Sequence, residues 1–187
     1  MNTLLALAIH AIITTANLPA GRQNVRAERS FSLADRYPDR GVNDVFRYNI
    51  VHTLDRMDAK SYSFMLQPGQ VFAFHEDALP EFQGKIAATM RAHFNYTDGF
   101  KSDGWLMGDG VCHLASLLYW AARDAGLSAL APTNHDFATI PEVPKEYGVS
   151  IFAYDPKQNL YITNTFDKPV QFAFAVTGTN LTVKVID

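Results

Sequence analysis

The chain has 187 residues, 48% hydrophobic and 19% charged, with 16 basic against 19 acidic side chains and a formal net charge of -3. That length buries one sizeable core and leaves little room for two; the apolar content excludes a disordered chain, and the lack of any polybasic stretch argues against nucleic acid as a partner. Its one cysteine, Cys112, excludes an internal disulfide, so the thiol is either a small core residue or a reactive group.

Residues 1–16 carry an apolar run far shorter than the ~20 residues that span a bilayer. Two readings stay open: the apolar region of a secretory signal peptide, with Thr14 and Ala16 as the small residues of a cleavage site, or an ordinary N-terminal amphipathic helix. The first implies export to the cell envelope and the second a cytoplasmic protein. Residues 17–30, polar and containing Pro19-Ala20-Gly21, read as a linker. Residues 31–187 then form a single domain.

Within that domain, Val42, Val45, Phe46, Ile50, Leu54 and Met57 recur at spacings of three and four, one face of a helix. Tyr62, Phe64 and Leu66 alternate with Ser63 and Met65 as a short strand. Pro68-Gly69 suits the middle of a type II turn, and a β-hairpin into Val71 to Phe74 is the simplest continuation. Pro80 to Phe94 is ambiguous, with helical spacing weakened by Gly84. Asn95 to Gly110 reads as a loop. Cys112 to Ala125 has a broad apolar face, and Gly126 can close the helix in a left-handed conformation. Beyond it, Leu127 to Ala131, Val149 to Tyr154, Asn159 to Thr163, Val170 to Val176 and Leu181 to Ile186 are short strand-like runs. The fold class is α+β, with N-terminal helices and a central cysteine-bearing helix packed on an antiparallel β-sheet.

A thiol in the first turn of a helix feels the positive end of the helix dipole and unpaired N–H groups. The dipole contributes only about 0.3 to 1 kcal/mol, so a histidine partner is needed for full ionisation. His113 is adjacent but points about 100° away from Cys112 on a helix. His135 can reach the sulfur if its segment doubles back over the helix start, which makes it the candidate general base. Asn164 or Asp167, on or after a later strand, would orient the imidazole. Gly110, Val111, His113, Asn134 and Asp136 flank the pair as candidate binding residues. No CxxC, HxxxH or HExxH spacing and no phosphate or dinucleotide motif occurs, so neither a metal nor another cofactor is expected.

Gly108-Asp109-Gly110-Val111-Cys112-His113-Leu114-Ala115-Ser116-Leu117-Leu118-Tyr119 resembles the signature of the VanW-like family, roughly G-G-G-V-C-Q-x-S-T-x-L-Y. Asn49-Ile50, the Leu66 to Phe74 stretch, Asn134-His135-Asp136 with Ile140 to Pro144, and Leu160 to Val170 resemble further segments of that family in the same order. The chain departs from the pattern at Asp109, which replaces a glycine, at His113, which replaces a glutamine, and near Glu146 to Val149, where an Arg and an Asp are missing. The resemblance implies a cell-envelope setting. The order of Cys112, His135 and Asn164 or Asp167 is also similar to transglutaminase-like and papain-like cysteine hydrolases. Two functions follow as expectations: a cysteine-dependent amide hydrolase or acyl transferase acting on peptidoglycan-type peptides, or a non-catalytic module that binds a wall peptide or glycan.

Overall fold

The computed structural model describes residues 24–187. The two readings of residues 1–16, and the first part of the linker, lie outside the described residues. From Asn24 onward the chain forms two helices and eight strands arranged as two four-stranded sheets.

The first sheet has the order β1 (Val25–Ser32), β8 (Asn180–Ile186), β7 (Val170–Thr177), β2 (Ser63–Leu66), with every neighbour antiparallel. Leu181, Val183 and Val185 of β8 point inward while Asn180 faces solvent, the period-two pattern of a strand with one covered face. Val170 to Phe174 of β7 are buried throughout, because this central strand is covered on both sides. The second sheet has the order β4 (Ile86–Ala88), β3 (Val71–Ala73), β6 (Tyr161–Thr163), β5 (Ser128–Leu130). Its β3 and β4 run parallel, and its other pairs are antiparallel. Phe64 of β2 joins the sheets, stacking on Phe72 of β3 at 4.4 Å and on Phe172 of β7 at 4.8 Å between centroids.

Helix α1 (Arg40–Asp58) begins where the Asp39 side chain accepts a hydrogen bond from the Val42 N–H, satisfying one of the free donors of the first turn. Its buried side chains include Phe46, Asn49, Ile50, Leu54 and Met57, the periodic face expected from the sequence. Helix α2 (Val111–Asp124) buries Leu114, Leu117 and Leu118 against β1, β8 and β5, and each buried leucine contributes roughly 1.5 to 3 kcal/mol. It ends in a Schellman motif: with Gly126 left-handed, the Gly126 and Leu127 N–H groups donate to the Arg123 and Ala122 carbonyls.

Five expectations change. The single antiparallel sheet is two sheets, one with a parallel pair, and among the described residues one α-helix, not several, precedes the cysteine-bearing helix. The polar stretch read as linker up to Ser30 runs into β1, where only Ala27 and Phe31 are well buried, too few apolar side chains to mark a strand. Pro68-Gly69 does make the turn, with the Gln70 N–H donating to the Gln67 carbonyl at 3.0 Å. The strands it joins enter different sheets, however, so there is no hairpin. The ambiguous Pro80 to Phe94 stretch contains no helix and only the three-residue β4. Val149 to Tyr154 is irregular rather than a strand. Val149 is buried there, and its N–H donates to the Ser116 hydroxyl instead of to a ladder partner.

Candidate functional site

The turn before α2 is clamped onto α1. Asn49 is fully buried; its side-chain amide donates to the Lys101 and Asp109 carbonyls at 3.0 and 3.1 Å and accepts from the Lys101 N–H at 2.9 Å. Gly110 has φ 97°, and a Cβ there would lie 2.9 Å from Ile50 Cγ1 and 3.0 Å from the Phe46 carbonyl. Only glycine allows both this backbone and so close an approach of the two helices.

Cys112 follows directly. Burial pushes its thiol up to about 11, Asp109 adds to the rise, and the Ile151 backbone amide partly counters it. The Cys112 carbonyl accepts a hydrogen bond from the Ser116 hydroxyl at 2.7 Å. Among the described residues no hydrogen bond connects the sulfur to an imidazole.

His135 is 7% exposed. Its Nδ1 lies 3.0 Å from the Ala138 carbonyl, an oxygen that can only accept, so Nδ1 carries a proton and, in the neutral tautomer, Nε2 is the nitrogen with the lone pair. The ring packs on Phe137 at 3.9 Å and faces His113 at 6.2 Å. His113 itself sits edge-on to Phe46 at 5.0 Å, and burial, reinforced by Arg36 and His135, pulls it down to about 3.

Asn164 is brought to neither histidine nor sulfur. Its amide donates to the Leu66 and Lys168 carbonyls at 2.9 and 2.8 Å, and its oxygen accepts from the Phe166 N–H at 3.0 Å. It thereby pins the end of β6 to the turn between β2 and β3. Asp167 is exposed and makes no side-chain hydrogen bond among the described residues. Asp136 is also exposed, 3.6 Å from Lys145 Nζ, and the Asn134 amide donates to the Lys145 carbonyl. Gly110 and Val111 are buried in the helix junction.

His135 borders a cleft of about 260 Å³ whose walls include Phe137, Ile140, Val143, Pro144 and Gly148. One side of this loop is tied to β1, since Glu142 accepts from the Ser32 N–H at 2.9 Å and pairs with Arg36 at 3.3 Å.

Residues 47–186 match the family described as VanW like protein. The chain belongs to this family. No curated protein and no solved structure matches it. The VanW-like match runs from within α1 to the end of β8 and so covers the α2 start, the cleft and both sheets. The family is one of cell-envelope proteins, and no helix among the described residues is long and apolar enough to cross a membrane.

Within the VanW-like domain, the two departures noted in the signature, Asp109 and His113, are four residues apart, and Asp109 is the one that enters a part-buried polar contact. Asp109 is 4% exposed, one carboxyl oxygen accepts from the Tyr37 hydroxyl at 3.1 Å, and the other has no partner. Burial raises its pKa, the Tyr37 hydrogen bond opposes this most, Asp103 adds to the rise, and the Gly110 N–H lowers it. Burial and the facing Asp109 also hold the Tyr37 phenol protonated. An unmet acceptor of this kind costs about 1 to 3 kcal/mol. Sequence reasoning flagged Asp109 only as a departure and passed over Tyr37 and Arg36, which lie outside any motif. Among the described residues no three His, Cys, Asp or Glu side chains converge to hold a metal.

Proposed function

We propose that this VanW-like domain is a binding module of the cell envelope that holds a wall peptide or glycan in the cleft between His135 and Gly148. The observation that carries this reading is geometric: among the described residues no hydrogen bond joins the half-buried Cys112 to an imidazole. Desolvation agrees in direction, pushing the thiol up to about 11. At neutral pH such a sulfur is a thiol, not the thiolate that attacks a carbonyl. The cleft supplies what a binding site needs: an exposed aromatic ring, Phe137 at 70% exposure, beside a few polar atoms in a concave wall. Calorimetry with soluble peptidoglycan fragments tests the reading. Wild type and Cys112→Ala should bind alike, and Phe137→Ser should bind at least tenfold more weakly; loss of binding in Cys112→Ala would overturn it.

The cysteine-dependent amide hydrolase or acyl transferase, in a transglutaminase-like arrangement, is the second reading. Its support is the His135 tautomer, which leaves Nε2 free to take a proton. In that scheme Cys112 attacks the amide carbonyl, His135 moves the proton, Asn164 or Asp167 orients the ring, and backbone N–H groups from Gly110 to Cys112 hold the oxyanion. It requires the loop at His135 and the end of β6 to rearrange toward α2. Alkylation of the thiol as a function of pH separates the readings, because the enzyme needs a midpoint near neutrality that disappears in His135→Ala.

A further inference from the structure

Trp105, Leu106 and Met107 are consecutive, large and apolar, yet they are 96%, 50% and 42% exposed. They occupy the tip of a short hairpin-like excursion before α2, closed by the Ser102–Met107 bridge. On either side of that bridge the Asp103 N–H donates to the Leu106 carbonyl at 3.2 Å and the Gly108 N–H to the Lys101 carbonyl at 3.1 Å. The base is fixed to α1, because the Asn49 side chain accepts from the Lys101 N–H and donates to the Lys101 carbonyl. The exposed side chains thus stand on a hydrogen-bonded support.

The chemistry of the tip narrows what can cover it. Every backbone N–H from Asp103 to Leu106 has an acceptor within the turn: Gly104 donates to the Ser102 hydroxyl oxygen, and Trp105 and Leu106 both donate to Asp103 Oδ1. Asp103, the one charged side chain of the turn, is folded back on its own backbone. Insertion into an apolar medium then leaves no N–H of this turn unpaired, which removes a main cost of placing irregular backbone there. A hydrated glycan gains little from a turn whose donors are already engaged. A protein partner needs about 800 Å² on each side, whereas one tryptophan supplies at most about 250 Å². Leu106 and Met107 are half covered already, and Ser102, Asp103 and Gly104 add no apolar side chain.

The foot of the excursion carries a cation. Lys101 Nζ lies 3.7 Å from the centroid of the Tyr48 ring and has no ion-pair partner among the described residues. The Tyr48 hydroxyl donates to the Gly99 carbonyl at 3.1 Å. A lysine and a tyrosine beneath an apolar tip match the phosphate and headgroup layer that overlies acyl chains.

We propose that the tip formed by Trp105, Leu106 and Met107 contacts a lipid bilayer, inserting at the headgroup–acyl boundary with Lys101 at the level of the phosphates. The contact lies outside the cleft and stands or falls separately from the reading of it. One shallow tip gives reversible contact, since stable anchoring takes two signals; it orients a protein at a membrane rather than holding it there.

The test holds the full chain at phosphatidylcholine vesicles through a carboxyl-terminal hexahistidine tag and a nickel-chelating lipid, and reads tryptophan emission with plain and with bromine-labelled acyl chains. Trp105→Ser supplies the emission of Trp120, the only other tryptophan. Brominated lipid should quench about half of the Trp105 emission of wild type, as for an indole at the interface, and the Leu106→Ser, Met107→Ser double variant should lose most of that quenching. Equal emission on the two kinds of vesicle overturns the contact, and so does quenching that survives in the double variant. A blue shift produced by soluble peptidoglycan fragments, without quenching by lipid, assigns the tip to the wall and also overturns it. If Trp105→Ser does not fold, aqueous iodide on the tethered wild type decides: protection of the emission by the vesicle supports the contact, and no protection overturns it.

Discussion

Two polar residues, both in signature segments and both almost fully buried, are treated in opposite ways by this fold. At the corner between the sheets, Asn164 has its oxygen and its amide engaged by three backbone groups. At the turn before α2, Asp109 has one oxygen engaged and the other left over. A completed hydrogen-bond set stabilises a chain reversal and offers nothing to a ligand. A half-completed one costs stability and is where a ligand can gain, so burial of a polar side chain by itself does not distinguish a strut from a site.

The comparison is broken most directly at its satisfied end. Asn164→Ala orphans two carbonyls and an N–H in the interior and should cost about 3 kcal/mol or more, read by urea denaturation. Gly110→Ala tests the clamp beneath Asp109; a Cβ 2.9 Å from Ile50 Cγ1, on a left-handed backbone, should cost about 2 to 3 kcal/mol in the same assay.

The next effect comes from acid. His113 is held down to about 3 in the folded protein, whereas an unfolded histidine takes its proton near pH ~6.5. Between those values the unfolded chain binds more protons, so stability falls as pH drops, by up to about 1.4 kcal/mol per unit. Denaturation midpoints at pH 6.5 and 5 should show this slope, and His113→Gln should flatten it. At the open end of the comparison, Asp109→Asn should leave stability unchanged or raise it by about 1 kcal/mol, since it removes an unpaired buried charge while keeping an acceptor for Tyr37. A large loss would mean that Asp109 is a strut like Asn164. The smallest effect is kinetic: alkylation of Cys112 in the folded protein should be slow at pH 8 and climb toward about 11, with an ordinary thiol profile in denaturant.

Much of this was legible in the chain because it is written locally. The apolar period of α1, the leucine face of α2 and the Gly126 stop each depend on residues within one or two turns. Strand β1 was not legible, since Ala27 and Phe31 alone give no pattern and its pairing partner, β8, is more than 140 residues away. The hairpin expectation failed for a related reason. Pro68-Gly69 specifies a turn but not which sheet receives the next strand, and that is decided by Asn164 holding β6 beside β3. At the site, Cys112 and His135 drew attention through residue type and spacing. The features that distinguish a packed thiol from a nucleophile are burial and the partner of each imidazole nitrogen, which are tertiary properties. Asp109 was visible as an oddity of the signature, and its unmet oxygen appears only once Tyr37 and α1 have closed around it.

The pairing of β1 with β8 has a mechanical corollary. Asn24 and Asp187 exchange both backbone hydrogen bonds, at 3.0 and 3.1 Å, and Asp187 also pairs with Arg26. A tension applied between these two points loads the antiparallel ladder one rung at a time, from its end, as a zipper is opened. The Asn24–Asp187 pair is therefore a soft handle, and force pulling there would peel β1 away before it could shear α2 or disturb the cleft beneath Glu142.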